Sequence, residues 1–184
     1  MTEIVVSKID AAIRQLNCAI ELFFEDADPV PIHTLACAGH RIVHDINRAK
    51  GGPELLFDAV KRSEGRRREL TVALHTHANY FKHADRDSCP DCGIRFSPEI
   101  TEVIIYSALL GLCHMKLKLS AVMAAYIVYM RTNSALLPSD IWRGFKVKAA
   151  VPDTLLNVKN VDREEFLHQF LSAVAEDGEN TRNA

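Results

Sequence analysis

Apolar residues dominate the stretch from Val103 to Met130, and only His114-Met115-Lys116-Leu117-Lys118 interrupts them. Each half falls well short of the ~20 consecutive apolar residues that a membrane-spanning helix needs. The run therefore predicts two buried helices, or one long one, at the heart of a helical core rather than a membrane segment. Ser97-Pro98-Glu99 supplies a cap and first turn for a helix through Met115, and a second helix is predicted from Leu119 to about Asn133.

Helical periodicity continues on both sides of this centre. Ile9, Ile13, Leu16, Ile20 and Phe23 lie on one face of a helix predicted from Ser7 to Asp26, with Ser7 as its cap. Asp28-Pro29 then reads as an N-cap followed by a first-turn proline, opening a helix that ends near Ala49, before Gly51-Gly52. A short helix is predicted over 53–63, and a longer one over 64–84 carries Leu70, Leu74, His77 and Phe81 on one face. His77 on that face reads as a core histidine with one hydrogen-bond partner. Residues 85–97 read as a polar loop, and 134–160 as a loop with a short helix or strand near 141–147. Asp162 caps a last amphipathic helix bearing Phe166, Leu167, Phe170 and Val174, and residues 177–184 read as a disordered polar tail.

The expected fold is a single all-α domain over residues 1–176, a bundle of about six or seven helices. A chain of 184 residues is long enough to bury roughly 70% of the surface it exposes when unfolded. With 22 basic and 24 acidic residues the net charge is −2, so no global field drives the chain onto nucleic acid or anionic lipid. The densest basic run, Lys61-Arg62 with Arg66-Arg67-Arg68, reads as a solvated helix start beside Glu64 and Glu69. The N-terminus lacks the pattern of a secretory signal, and the five cysteines are an odd set that suits a reducing compartment; the expected location is cytoplasmic.

Polar chemistry concentrates at 78–93. His75, Asn79 and His83 follow one another at i, i+4 and i+8, flanked by Lys82 and Arg86. Such a stripe opposite the core reads either as a solvated face or as the lining of a cleft or dimer seam.

The segment Asn79-Tyr80-Phe81-Lys82-His83-Ala84 resembles the Asn-x-x-x-His segment that ends a core helix in the HEPN superfamily of all-α domains. That resemblance implies a metal-independent ribonuclease site in which His83 is the catalytic imidazole acting through the RNA 2′-hydroxyl and Asn79 orients it. The family's nuclease motif carries an arginine immediately before the asparagine, and Ala78 stands there in this chain. With the phosphate-gripping residue missing, the resemblance implies a catalytically impaired relative, linked to RNA or to a protein partner. Domains of this family often pair, so a homodimer is expected.

Cys89-Pro90-Asp91-Cys92-Gly93 has the spacing of half a zinc knuckle, a tight turn that aims two thiolates at one point. Two further ligands would have to come from His83 and another histidine, or from a second copy of the chain. The plain alternative is a pair of surface thiols with no metal, and no βαβ pattern surrounds the pair to suggest a thioredoxin-like role.

His33, Cys37, His40 and His44 fall at i, i+4, i+7 and i+11 on the second helix, away from Leu35, Ile42 and Ile46. His40-x-x-x-His44 is the two-ligand helical spacing used for zinc, but Arg41 stands where a zinc protease carries its glutamate. Exposure or dimer packing is the expected role of this stripe, with zinc ligation or a pH-sensitive interface as its alternatives. Together, Cys89, Cys92, His40 and His44 define a second functional reading, a zinc-stabilised dimeric regulatory or scaffold protein.

Overall fold

The computed structural model of the chain describes residues 3–55, 76–83, 89–134, 137 and 162–180. The described residues are all-helical, with no strand among them. Helix α1 spans Lys8–Phe24, α2 Pro29–Ala49, α3 Ile100–His114, α4 Ala121–Asn133 and α5 Arg163–Asn180, and residues 76–80 form a further helical segment. No helix among the described residues is long and apolar enough to cross a membrane.

Local chemistry sets the helix starts. Ser7 Oγ accepts from the Asp10 N–H at 3.1 Å while the Asp10 carboxylate accepts from the Ser7 backbone N–H at 3.4 Å, a reciprocal capping box. Asp28 Oδ1 accepts from the Val30 N–H, Ser120 Oγ from the Met123 N–H, and Asp162 Oδ1 from the Glu165 N–H. At α3 the start has no side-chain cap. Ile100, Thr101 and Glu102 instead donate to the carbonyls of Ser97, Pro98 and Glu99 in one tight i→i−3 turn.

Three helices end in the same way. Asp26 (φ 51°), Gly51 (φ 69°) and Lys116 (φ 58°) adopt the left-handed conformation one residue beyond the caps of α1, α2 and α3. The next amide in each case, of Ala27, Gly52 and Leu117, donates back to Leu22, Asn47 and Leu112 at 2.9–3.0 Å. These are Schellman closures, which satisfy carbonyls the helix ends would otherwise leave open. The break at 114–118 is thus a defined helix stop followed by the Ser120 cap.

The short 25–28 connection folds α2 back antiparallel on α1, and the helices approach closely at Gly39. A Cβ there would meet Leu16 Cγ at 2.8 Å and the Ala12 carbonyl oxygen at 3.2 Å. On its other side α2 meets α3. His33 faces Thr101, His40 faces Ser107, and a Cβ on Gly111 would lie 2.5 Å from Val43 Cγ1. The numbers rise together, so α2 and α3 run parallel.

Helix α4 lies along α1, again parallel, with Ser120 bonded to Asn17 and Tyr126 and Tyr129 set edge-on to Phe23 and Phe24. Phe166 of α5 stacks on Phe24 at 6.1 Å, and Arg163 pairs with Asp26 at 2.8 Å while its guanidinium sits 4.2 Å from the centre of the Phe23 ring. The core joins Leu16, Ile20, Ile104, Leu109, Leu112, Tyr126 and Phe170, all fully buried, the aromatic cluster adding edge-to-face contacts to the apolar burial.

Several expected boundaries move. Residues 53–55 are not helical, and the rest of the expected 53–63 helix lies outside the described residues, as do the basic run 61–68 and the segment 141–147. The helix expected to reach residue 84 ends at residue 80. Helix α5 continues through Asn180, so residues 177–180 of the expected disordered tail are helical. Each added residue of an existing helix gains a backbone hydrogen bond without a new nucleation step.

Candidate functional site

The polar stretch at 78–93 folds as a helix end with a loop returning onto it. The amides of Lys82 and His83 both donate to the Asn79 carbonyl, at 3.1 and 2.9 Å, closing the last turn. Ala78 is buried in the core, Asn79 is half-buried, and Lys82 and His83 are exposed. Asn79 and His83 therefore share one turn as their spacing predicts, whereas His75 and Arg86 lie outside the described residues. Ala78 points inward, so the place before Asn79 presents no group to a ligand at the surface.

Cys89 and Cys92 form a disulfide, with their Cα atoms 5.4 Å apart. This corrects the expectation of a free thiolate pair aimed at zinc: sulfurs bonded to each other are not the thiolates that a zinc site requires. Two contacts hold the loop to the helix end. The Tyr80 hydroxyl donates to the Cys92 carbonyl, and His77 Nε2–H donates to the Arg95 carbonyl at 2.9 Å. A carbonyl only accepts, so His77 carries its proton on Nε2 when neutral. Its Nδ1 is then a buried acceptor with no partner among the described residues. His77 has the one hydrogen-bond partner expected of it, but it is half-buried rather than a core residue.

The stripe on α2 faces the opposite way from its expected orientation. His33 is fully buried and Cys37 nearly so, while Leu35, Ile42 and Ile46 are only partly buried. Helix α2 lies between α1 and α3, so the first half of its polar stripe is covered, while His40 and His44 are half-buried. His33 Nδ1 lies 2.9 Å from Thr101 Oγ1 and its Nε2 lies 3.4 Å from Cys37 Sγ. One neutral tautomer, donor on one nitrogen and acceptor on the other, satisfies both contacts. Phe96 and Phe81 enclose the ring, at 4.8 and 5.9 Å between centroids, and His77 stands at 6.1 Å.

Burial, reinforced by positive charge at His77 and Lys82, pushes His33 down to about 4. Burial likewise pushes the Cys37 thiol up to about 12, against the opposing pull of Lys82. Both groups are neutral near pH 7. An activated cysteine needs a thiolate beside an imidazolium in a partly open, electropositive setting, and this pair has the reverse. It is a structural pair.

His40 and His44 sit further along the same helix, their rings 5.9 Å apart. Each has a neighbour: His40 Nε2 lies 3.1 Å from Ser107 Oγ, and His44 Nδ1 lies 3.2 Å from Asp45 Oδ1. Among the described residues no group of three or more His, Cys, Asp or Glu side chains is placed to hold a metal ion. Cys89, Cys92, His40 and His44 are therefore not brought together as a zinc site. Sequence reasoning missed Thr101, Ser107 and Phe96, although Thr101 and Ser107 are among the few polar residues of an otherwise apolar α3 and could have marked its face towards α2.

Comparison of the chain with protein-family models, with curated proteins and with solved structures gives no match.

Proposed function

We propose that this chain is a HEPN-like all-α domain that contacts single-stranded RNA without cleaving it, through the surface formed by Asn79, Tyr80, Lys82 and His83. The observation that carries this reading is the burial of Ala78 directly before the closed Asn79–His83 turn. An imidazole and an amide are offered at the surface, and buried Ala78 stands where the family carries its phosphate-gripping arginine, so binding is supported and catalysis is not. Tyr80, 37% exposed, supplies a ring face for a base, and exposed Lys82 and Arg95 supply local positive charge. At a net charge of −2, affinity rests on these few groups and falls steeply with salt. The family reading also carries a homodimer, whose mass light scattering measures directly.

The test is fluorescence anisotropy of a labelled single-stranded RNA at low salt, with gel analysis of the same RNA. The expected result is salt-sensitive binding, weakened several-fold in the Lys82→Ala/His83→Ala double variant, with the RNA intact throughout. Absence of binding at low salt would overturn the RNA reading. Cleavage that His83→Ala abolishes would replace it with a nuclease.

A further inference from the structure

We propose that the Cys89–Cys92 disulfide is a thiol-exchange site, opened and closed by a small thiol of the glutathione class, and that its state controls how firmly the 89–97 loop is held against the end of the 76–80 helix. This inference does not depend on RNA binding. Both cysteines are exposed, as are Pro90 and Asp91 between them. A buried structural disulfide is protected by lack of access, and this one is open to attack.

The exchange balances as follows. A small thiolate attacks one sulfur of the pair, forms a mixed disulfide with it and expels the other cysteine as a thiolate, which takes a proton from water. A second small thiolate attacks the small thiol's sulfur in the mixed disulfide, releasing the second cysteine and the oxidised small-molecule disulfide. Two electrons pass from the two small thiols to the protein pair, and the oxidised small molecule closes the pair by the reverse steps.

The disulfide ring is wired into the fold on one side. The Tyr80 hydroxyl donates to the carbonyl of Cys92, which is carried on a ring atom, the Cys92 Cα. Three and four residues on, the Arg95 carbonyl accepts from His77 and the Phe96 ring packs 4.8 Å from buried His33 and 5.2 Å from Phe81. Closing the ring fixes the Cys92 carbonyl where Tyr80 meets it. Opening it frees that backbone to turn, so the Tyr80 contact weakens first while the His77 and Phe96 contacts persist.

Thiol trapping in glutathione buffers, followed by peptide mass mapping of the alkylated full-length protein, reads the first half of the proposal. Oxidised glutathione should leave Cys89 and Cys92 unlabelled, and excess reduced glutathione should make both label together under native conditions. Labelling of both in oxidised buffer, or a pair that stays closed in excess reduced glutathione, would overturn the exchange site. Amide hydrogen exchange reads the second half. Exchange over 76–83 and 92–97 should rise several-fold on reduction, and the Cys89→Ser/Cys92→Ser variant should show the reduced pattern in either buffer. Identical exchange in both states would overturn the coupling even if the thiols exchange.

Discussion

His33 Nδ1 and Thr101 Oγ1 lie 2.9 Å apart although 68 residues separate them in the chain. The contact sits at the start of the seam between the parallel helices α2 and α3, which His40 and Ser107 continue two turns further on. It gives a fully buried imidazole a partner it would otherwise have to find in water, and it fixes the register of two helices whose apolar surfaces alone could slide.

Thr101→Val keeps the shape of the side chain and removes its hydroxyl. His33 Nδ1 then stays buried without that partner, and the expected loss is about 1–3 kcal/mol of stability. Urea unfolding should show a lower midpoint with an unchanged slope. A midpoint equal to that of the unchanged protein would mean the pair contributes nothing.

Stability should fall on acidification through His33. Its ordinary value of 6.5 applies to the unfolded chain, whereas burial holds the folded group at about 4. Between these limits the unfolded chain binds a proton that the folded chain does not, so stability falls as pH drops through this window, by up to about 3 kcal/mol, and this contribution is level above it. Denaturation at about pH 7 and about pH 5 should show a smaller decrease for His33→Gln than for the unchanged protein. Equal decreases would remove His33 as the source.

Cys37 should be inert in the folded state. Its thiol is 9% exposed and pushed up to about 12, whereas Cys18 is exposed. A maleimide at neutral pH should modify Cys18 rapidly and Cys37 only as fast as the α2–α3 seam opens. Peptide mapping of a labelling time course distinguishes them, and comparable rates would contradict the buried placement of Cys37.

Gly111→Ala should destabilise, against helix propensity. An exposed helical glycine gains roughly 1 kcal/mol on becoming alanine. Here the new Cβ would lie 2.5 Å from Val43 Cγ1 and 3.1 Å from Leu55 Cδ1. Overpacking of this kind costs about 1–3 kcal/mol, and adding Val43→Ala should recover part of the loss, as a favourable coupling in a double-mutant cycle. A Gly111→Ala protein as stable as the parent would contradict the close approach of α2 and α3.

The helix starts were legible because their signals are local. Ser7 with Asp10, Asp28 before Pro29, Ser120 and Asp162 each hold an amide within three residues of themselves, so sequence distance and spatial distance coincide. The Asn79–His83 turn was legible for the same reason. The end of the 76–80 helix was placed four residues too late because its pattern gives no closing glycine.

The orientation of α2 was not legible. Periodicity separates one stripe from another, but it does not say how many neighbours a helix has. Packed on a single partner, α2 would have turned His33, Cys37 and His40 to water. Sandwiched between α1 and α3 it buries His33 and Cys37 and half-buries His40, and Thr101 and Ser107 supply hydroxyls from a distant part of the chain. The separation of the potential zinc ligands is of the same kind, since His40 meets Ser107 across the α2–α3 seam with His44 one turn on, while Cys89 and Cys92 close on each other in a loop.

By itself, then, the sequence determined that the chain is helical, where most of its helices begin and which apolar residues form the core, because caps and 3.6-residue periodicity act within a few residues. Only the tertiary structure decided that His33 and Cys37 of the stripe are core rather than surface, that both are neutral, and that Cys89 and Cys92 bond to each other. Each of those outcomes depends on desolvation and on partners brought from far along the chain, and no local pattern encodes them.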